Sequence, residues 1–128
     1  MLDTAIQRDA ATAEFLDGTA RGEFLLVRDT RTGEVHSPQF DATIDPDRYV
    51  RFPAAGTGTV VSFSIVHHRQ PDGEITRIPV GIVQLDEGPW WWTAITGAEP
   101  GEDLMGRRVQ VAYREAGEET VPYFTTLD

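Results

Sequence analysis

The side chains best suited to chemistry lie in one short run, His67-His68-Arg69, at the end of an apolar segment. Successive residues of a strand face opposite sides, so the two histidines cannot readily share one metal ion. His36 is distant in the sequence, and no HExxH-type spacing is present. The run predicts either a strand end that reaches solvent or a surface that contacts a partner or a phosphate.

No recognised motif for nucleophilic or acid–base catalysis is present in the sequence. It has no cysteine and no lysine, which excludes disulfides, thiolate zinc sites, iron–sulfur clusters, Schiff bases and a P-loop lysine. Ser62 and Ser64 stand outside any GxSxG elbow. The acidic pairs Asp86-Glu87 and Glu118-Glu119 fall at predicted turns, where paired carboxylates are usually solvated. We therefore predict no catalytic residue, no metal and no cofactor.

Length and charge restrict the class of protein further. The 128 residues suit one domain, and the net charge of −10 disfavours a nucleic-acid surface. The same charge weakens binding of coenzyme A by the chain alone. No apolar run approaches the roughly 20 residues of a membrane span. The first residues show no basic and apolar leader, so we expect a cytoplasmic protein that does not bind membranes.

Three consecutive tryptophans form the most unusual motif of the sequence. In a strand, Trp91 would face one side and Trp90 and Trp92 the other. One side should belong to the core, and the other should be exposed unless something covers it. Two interpretations stay open, contact with a partner protein and packing against an N-terminal helix. Stacking on single-stranded nucleic acid is disfavoured by the charge.

Hydrophobic periodicity and turn residues predict a mainly β protein. A helix is expected from residue 3 to about residue 20, capped by Asp3 or Thr4 and ended by Gly18 and Gly22. Residues 37–53 should form an irregular surface excursion. Strands are predicted over residues 24–27, 59–66, 78–85, 90–96 and 107–113, with a short terminal strand at 121–124. Short strands between glycine and proline turns are typical of a small barrel or sandwich.

Several stretches, taken in order, resemble the DUF35 family of acyl-CoA-associated OB-fold proteins. They cover residues 14–28, 56–67 (family motif GxGTVxSxTVVH), 83–89 (xVELDEGP), 103–111 (DLxIGxxVxV) and 122–124 (LPxF). The resemblance implies an N-terminal helix over residues 1–22 and a rubredoxin-like zinc-ribbon segment over 23–55. A five- or six-stranded OB-fold barrel with a C-terminal tail would follow over 56–128, and the three parts would form one compact unit.

The zinc ribbon of this family has two CxxC pairs, and this chain lacks them. Asp29 and Thr32 stand at the first pair, and the second falls near Ala42 and Asp45. Asp29, His36 and Asp45 could not easily form a tetrahedral zinc site. The ribbon is therefore expected to be degenerate and without metal. Packing of the aromatic residues Phe40, Tyr49 and Phe52 should replace the binding energy of the metal.

The function that the resemblance implies is that of a non-catalytic accessory subunit in a hetero-oligomer. DUF35 proteins pair with thiolases, ketoacyl-synthase-like enzymes and lipid-transfer-protein-like aldolases that act on acyl-CoA, and the partner supplies the catalytic residues. Two other functions stay open, a standalone acyl-CoA or lipid binding protein and a small dehydratase or cyclase that uses His67 and His68.

Candidate site residues follow from these interpretations. The partner interface is expected to include the aromatic strand and a C-terminal segment that is free to extend from the domain. These candidates are Trp90, Trp91, Trp92, Pro122, Tyr123 and Phe124. The candidate contacts to acyl-CoA are His67, His68 and Arg69.

Overall fold

The computed structural model describes residues 8–99 and 101–127, which form a helix, a small sheet and a barrel. The elements follow in the order α1 (Ala13–Ala20), β1 (Leu25–Asp29), β2 (Val35–His36), a 3₁₀ turn (Ala42–Ile44), β3 (Tyr49–Pro53), β4 (Thr57–Arg69), β5 (Ile75–Leu85), β6 (Trp90–Thr96), β7 (Arg108–Ala116) and β8 (Glu119–Thr126). In these two ranges no helix is both long and apolar enough to cross a membrane.

The helix begins later than the sequence pattern predicted. Residues 8–12 are not helical, and residues 1–7, with the predicted caps Asp3 and Thr4, lie outside the described residues. The Asp9 carboxylate accepts hydrogen bonds from the Thr12 backbone N–H and hydroxyl, both at 2.9 Å. Short polar side chains that bond to nearby backbone groups compete with the helix in this way.

Gly18 is a buried helical residue and does not end α1. A Cβ at this position would lie 2.7 Å from side-chain atoms of Leu25, so glycine lets the helix approach β1 closely. The prediction that Gly18 marks the helix end was wrong. The chain turns away at Gly22, whose φ of 78° favours glycine.

A three-stranded sheet in the order β2-β1-β3 follows the helix along the chain and precedes the barrel strands. β3 pairs with β1 along its whole length, from Leu25 opposite Pro53 to Asp29 opposite Tyr49. The prediction of an irregular excursion was therefore wrong for residues 49–53. The pairing partner of β3 is distant in sequence, and the prolines around this stretch obscured its alternation.

The remaining strands form a closed barrel in the order β4-β5-β6-β8-β7. This confirms the predicted mainly β fold with an N-terminal helix and a five-stranded barrel. β8 closes the barrel, because it pairs antiparallel with β7 and parallel with β6, where Phe124 lies opposite Ile95. It runs from Glu119 to Thr126 and is thus longer than the predicted terminal strand.

The core is one cluster of buried residues to which the helix, the small sheet and the barrel all contribute. It consists of Phe15, Leu16, Phe24, Leu25, Leu26, Val60, Val83, Leu85, Ile95, Leu104, Val109 and Phe124. Phe24 is central, since its ring makes edge contacts with Phe15 at 5.3 Å and Phe124 at 5.9 Å between centroids. The domain boundaries at residues 22 and 55 stay a prediction.

Candidate functional site

The three tryptophans of β6 divide between the two faces of their strand. Trp91 is half-buried and packs against the core, with its ring 5.5 Å from Phe15 and 5.2 Å from Phe24 between centroids. Trp90 and Trp92 face the other way and are 58% and 60% exposed. Packing against the N-terminal helix therefore accounts for Trp91, and it leaves the other two indole side chains uncovered.

Apolar residues of the neighbouring strand extend this exposed surface. Trp92 lies opposite Ile82 of β5, and Val80 lies two residues further along on the same side. On the next strand pair, Ile78 is opposite Val66 of β4. The outward side chains of Ile78, Val80 and Ile82 are half-buried. We call this surface the outer apolar face, and it consists of Trp90, Trp92, Ile82, Val80, Ile78 and Val66.

The composition of β5 explains why the barrel has apolar residues on both sides of this strand. Val83 and Leu85 face inward and are buried, while the outward positions 78, 80 and 82 are also apolar. A strand in contact with solvent normally alternates apolar and polar residues. The unbroken apolar run was visible in the sequence, and it is typical of a strand that is covered on both faces. The sequence interpretation did not include these β5 residues in the site.

A hairpin arm projects from the barrel where β4 and β5 outrun their neighbours. β6 pairs with β5 only from Val80 to Gln84, and β7 pairs with β4 only from Thr57 to Thr59. Residues 65–79, which we call the β4–β5 arm, therefore form a ribbon of two strands. The candidate acyl-CoA residues lie on this arm.

The arm separates the two adjacent histidines. His67 is exposed and lies opposite Arg77, whereas His68 is half-buried and lies opposite Thr76. Arg69 shares the side of His67, since it is two residues further along the strand. The structure thus places His67, Arg69 and Arg77 on one side of the arm and His68 on the other. Arg77 was not recognised in the sequence, because its proximity to His67 depends on the strand register.

The C-terminal candidates are not on a free segment, and that expectation was wrong. Pro122, Tyr123 and Phe124 all belong to β8, which closes the barrel. Phe124 is fully buried beside Phe24, so it is inaccessible to a partner while the barrel is intact. The other two side chains are half-buried. Of the LPxF-like ending, Phe124 therefore belongs to the core.

Acidic residues at the turns are engaged in ion pairs. Asp86 accepts two hydrogen bonds from the Arg108 guanidinium, at 2.8 and 2.9 Å, which together with a Thr57 hydroxyl lower its pKa to about 2. Glu119 accepts two hydrogen bonds from Arg8, at 2.6 and 2.8 Å, and its pKa is lowered by that guanidinium. These contacts hold β7 to the β5–β6 turn and the N-terminal segment to β8.

No hydroxyl is hydrogen-bonded to a histidine on the described part of the arm. Thr76 lies opposite His68, and its hydroxyl accepts a hydrogen bond from the Gln70 side-chain amide at 2.9 Å. Within the described ranges, no group of three histidine or acidic side chains is placed to hold a metal ion. The site therefore offers two surfaces for binding. One is the outer apolar face, and the other is a cationic patch of Arg69 and Arg77 on the arm.

Asp29 and Thr32, at positions where the resemblance implies zinc ligands, make ionic and polar contacts, and the ribbon itself stays a prediction. The carboxylate of Asp29 pairs with Arg48, which holds the pKa of Asp29 well below its usual range. The Thr32 hydroxyl accepts a hydrogen bond from the Glu34 backbone N–H at 3.2 Å.

Aromatic packing in the same segment involves the residues that the sequence suggested, together with a histidine. The ring of His36 stacks on Phe40 at 4.2 Å, and Phe40 lies 4.7 Å from Tyr49, between centroids. The guanidinium of Arg28 lies over Phe52 at 4.5 Å.

Comparisons with known proteins agree with this geometry. Residues 52–114 match the model of the family described as the C-terminal OB-fold domain of ChsH2. The barrel is an OB fold of the DUF35 family. A solved chain of the Ltp2-ChsH2(DUF35) aldolase superposes on this DUF35 fold with a TM-score of 0.75 and 24% identity, covering 98% of this chain and 99% of that one.

A curated relative from Mycobacterium tuberculosis (strain ATCC 25618 / H37Rv) is similar over most of the DUF35 chain. It is the 3-oxo-4,17-pregnadiene-20-carboxyl-CoA hydratase alpha subunit, with 29% identity over 117 residues. The match covers 88% of this chain but 36% of the relative, so the chain spans about a third of that protein. The DUF35 family match includes β4, β5 and β6, and hence both the outer apolar face and the arm.

Proposed function

We propose that the chain is a non-catalytic accessory subunit that binds a thiolase-fold enzyme acting on acyl-CoA substrates and supports its assembly. The observation that carries this proposal is the outer apolar face, with Trp90 and Trp92 more than half exposed. Contiguous apolar surface of this kind on a folded protein marks an interaction site. The proposed complex is a hetero-oligomer, and its cytoplasmic location stays a prediction.

The chemistry of the face fits a protein partner. Tryptophan is enriched among the interface residues that contribute most to binding. Here the two indoles are fixed on a barrel strand and flanked by Ile82 and Val80, so little ordering of the backbone accompanies binding. Ser62 and Ser64, which are exposed opposite these β5 residues, provide a polar border.

The relatives support a role in a multi-component enzyme. One is named as the alpha subunit of a CoA-ester hydratase, and the other is named as an aldolase with Ltp2 and ChsH2 components. Most of the hydratase subunit lies outside the match, so its name does not assign the reaction to the part that resembles this chain. The proposal gives the reaction to the partner, since this chain has neither cysteine nor lysine.

Isolation of the tagged chain from its source organism tests the partner. We expect a stoichiometric complex whose second component is identified by mass spectrometry as a thiolase-fold enzyme. A variant with Trp90→Ala and Trp92→Ala serves as the matched bait and should lose that component. Recovery of the chain alone from cells that contain the enzyme would contradict the proposal, as would equal recovery of the enzyme by both baits.

Assays of the isolated chain test its non-catalytic role. Acyl-CoA esters should be neither hydrated nor cleaved nor condensed, because no hydroxyl is hydrogen-bonded to a histidine on the described part of the arm. Turnover that persists after rigorous removal of contaminating enzyme, and that is lost in His67→Gln or His68→Gln, would show that the chain is an enzyme.

A further inference from the structure

Strand β4 keeps one of its edges unpaired over most of its length. β7 pairs with it only from Thr57 to Thr59, and beyond Thr59 its strand partner in the described part of the chain is β5 alone. Successive residues of an antiparallel strand direct their backbone N–H and C=O groups to opposite edges. About half of the backbone groups of residues 62–69 therefore point away from β5, where no described strand accepts them. We call this row of groups the free edge of β4.

The strand register identifies the residues of the free edge. At the tip of the arm, the Gln70 backbone N–H donates to the Glu74 carbonyl oxygen at 2.7 Å, so the backbone groups of Gln70 face β5. By alternation, those of residues 62, 64, 66 and 68 face β5 as well. The groups on the free edge belong to the residues between them, Phe63, Ile65, His67 and Arg69.

The opposite edge of the arm is protected against pairing, whereas the free edge of β4 is not. β6 pairs with β5 only from Val80 onward, so the arm part of β5 also has an outer edge. The backbone of Pro79 faces that edge and has no N–H, and proline is one of the residues that prevent exposed edges from pairing. From residue 62 to residue 69, β4 has no proline and keeps a regular register. An open and regular edge of this kind can accept a further strand.

The two sides of the edge strand differ in chemistry. On one side His67 and Arg69 are exposed and Arg77 lies opposite His67, and no strand residue on this side of the arm is acidic. On the other side Val66 lies opposite Ile78, and both belong to the outer apolar face. A strand added to β4 places alternate side chains against a cationic surface and an apolar one. The segment that fits has acidic residues alternating with apolar residues.

We propose that the free edge of β4 binds an extended segment of the partner enzyme as an added strand, in which acidic residues alternate with apolar ones. The backbone groups of residues 63, 65, 67 and 69 form the hydrogen bonds, and the charges of Arg69 and Arg77 select an acidic segment. A second copy of this chain fits less well, because it brings the same cationic side chains to the edge, and like charges on neighbouring strands repel. The proposal rests on the proposed function for the presence of a partner enzyme.

Hydrogen–deuterium exchange resolved at single amides tests the added strand. In the free full chain, the amides of Ile65 and His67 should exchange faster than those of Ser64 and Val66, which face β5. In the complex with the partner enzyme, exchange at Ile65 and His67 should slow by about tenfold or more, because each N–H gains a hydrogen bond. Unchanged exchange at both amides in an intact complex would overturn the proposal.

A proline on the free edge tests the same contact by affinity. His67→Pro removes one N–H from the free edge and leaves the hydrogen bonds between β4 and β5, and it should weaken partner binding about tenfold or more. His67→Gln keeps that N–H and is the matched control, which should bind within about threefold of the parent. Equal losses in the two variants would assign the contact to the imidazole and overturn the added strand.

Reversal of charge provides a second variant that leaves the backbone unchanged. Arg69→Glu places a carboxylate beside the proposed acidic segment and should weaken partner binding about tenfold. Arg31→Glu makes the same change at an exposed turn of the small sheet and should bind like the parent. Thermal melting of each variant reports whether the chain is folded. If His67→Pro does not fold, Arg69→Glu and the amide exchange decide the outcome.

The added strand and the proposed function fail in different ways. If a thiolase-fold enzyme is captured and binds His67→Pro and Arg69→Glu like the parent, the added strand is wrong and the proposed function stands. If the amide exchange shows an added strand in a complex with another class of protein, the proposed function is wrong. Sedimentation of the free chain over a range of concentrations tests for a second copy. A dimer that His67→Pro dissociates would overturn the choice of the partner enzyme as occupant.

Discussion

The carboxylate of Asp29 accepts two hydrogen bonds from the guanidinium of Arg48, at 3.0 Å from Nε and 2.8 Å from Nη2. A third comes from the Arg31 backbone N–H at 2.9 Å. Asp29 ends β1 at the position where the family resemblance implies a zinc-binding cysteine. Arg48 immediately precedes β3, so the ion pair joins two parts of the segment that are 19 residues apart in sequence. The ion pair therefore links the end of β1 to the start of β3, at the position where the resemblance implies a metal site.

Substitution of Asp29 by asparagine should loosen the small sheet. The Asp29 side chain is 4% exposed and that of Arg48 is 30% exposed, so the variant leaves a partly buried guanidinium without its carboxylate. We expect a melting temperature several degrees lower and faster amide exchange in β1 and β3. Asp47→Asn, which alters an exposed acid next to Arg48, is the control. Equal melting of the Asp29 variant and the parent would show that the pair does not stabilise the sheet.

Chelators should leave the stability of the chain unchanged. The ribbon positions carry Asp29 and Thr32 instead of thiolates, and Asp29 is already engaged by Arg48. Thermal melting with and without EDTA should coincide, and elemental analysis of the purified chain should find no stoichiometric zinc. A stoichiometric zinc content that is lost together with stability on chelation would contradict this prediction.

Acid should destabilise the fold through two of its ion pairs. Hydrogen bonds from Arg48 lower the pKa of Asp29. Hydrogen bonds from Arg108 are the main cause that lowers the pKa of Asp86 from its ordinary value of 3.8 to about 2. A carboxyl with a lower pKa in the folded state stabilises the fold above its unfolded pKa, and that contribution is lost as the pH falls toward the folded value.

Urea unfolding at a series of pH values measures this effect. The free energy of unfolding should fall as the pH drops from about 4 to about 2. In a variant with Asp29→Asn and Asp86→Asn the pH dependence over this interval should be shallower, because two of the titrating groups are gone. Asp47→Asn should keep the parental slope. A double variant with the parental slope would assign the acid sensitivity to other carboxylates.

Features set by local sequence could be predicted. The barrel strands were recognised because β-branched runs alternate with glycine and proline turns. Both signals depend only on residues that are close together in the sequence. Strand alternation in the same way indicated that Trp91 faces away from Trp90 and Trp92. Which of the two sides is the core depends on how Phe15 and Phe24 pack, and this could not be read from β6 alone.

Features set by distant partners could not be predicted. β3 exists because it pairs with β1, and Asp29 meets Arg48 across the same pairing. Phe124 was interpreted as part of a free tail because its strand, β8, is fixed by pairing with β7, and that pairing has no local sequence signal. Arg77 joined the arm's cationic residues only through the register of β5 on β4. These relationships are tertiary contacts, which sequence periodicity does not encode.

Loss of Phe124 should unfold the barrel. Its side chain is fully buried, and replacement of such a phenylalanine by alanine typically costs about 3–5 kcal/mol. Deletion from Val121 onward removes most of β8 and should prevent folding. Tyr123→Ala is the control, since that side chain is half-buried on the other side of the same strand. Cooperative urea unfolding of Phe124→Ala at the parental midpoint would place the residue outside the stabilising core.

Trp90 and Trp92 should contribute to partner binding without contributing much to folding. They are 58% and 60% exposed, so alanine at either position removes little buried area from the free chain. Truncation of a tryptophan that becomes buried in an interface typically costs about 2 kcal/mol or more, which corresponds to about thirtyfold in affinity. Calorimetry of each variant against the purified partner enzyme measures this loss.

Two further variants make the measurement specific to the outer apolar face. Ile44→Ala shortens an apolar side chain that is 68% exposed on the 3₁₀ turn, away from the barrel strands, and should bind the partner like the parent. Trp91→Ala should instead lower the melting temperature, since its ring packs against both Phe15 and Phe24. If the Trp90 and Trp92 variants both bind with parental affinity, the exposed indoles lie outside the interface, and the partner must contact another surface.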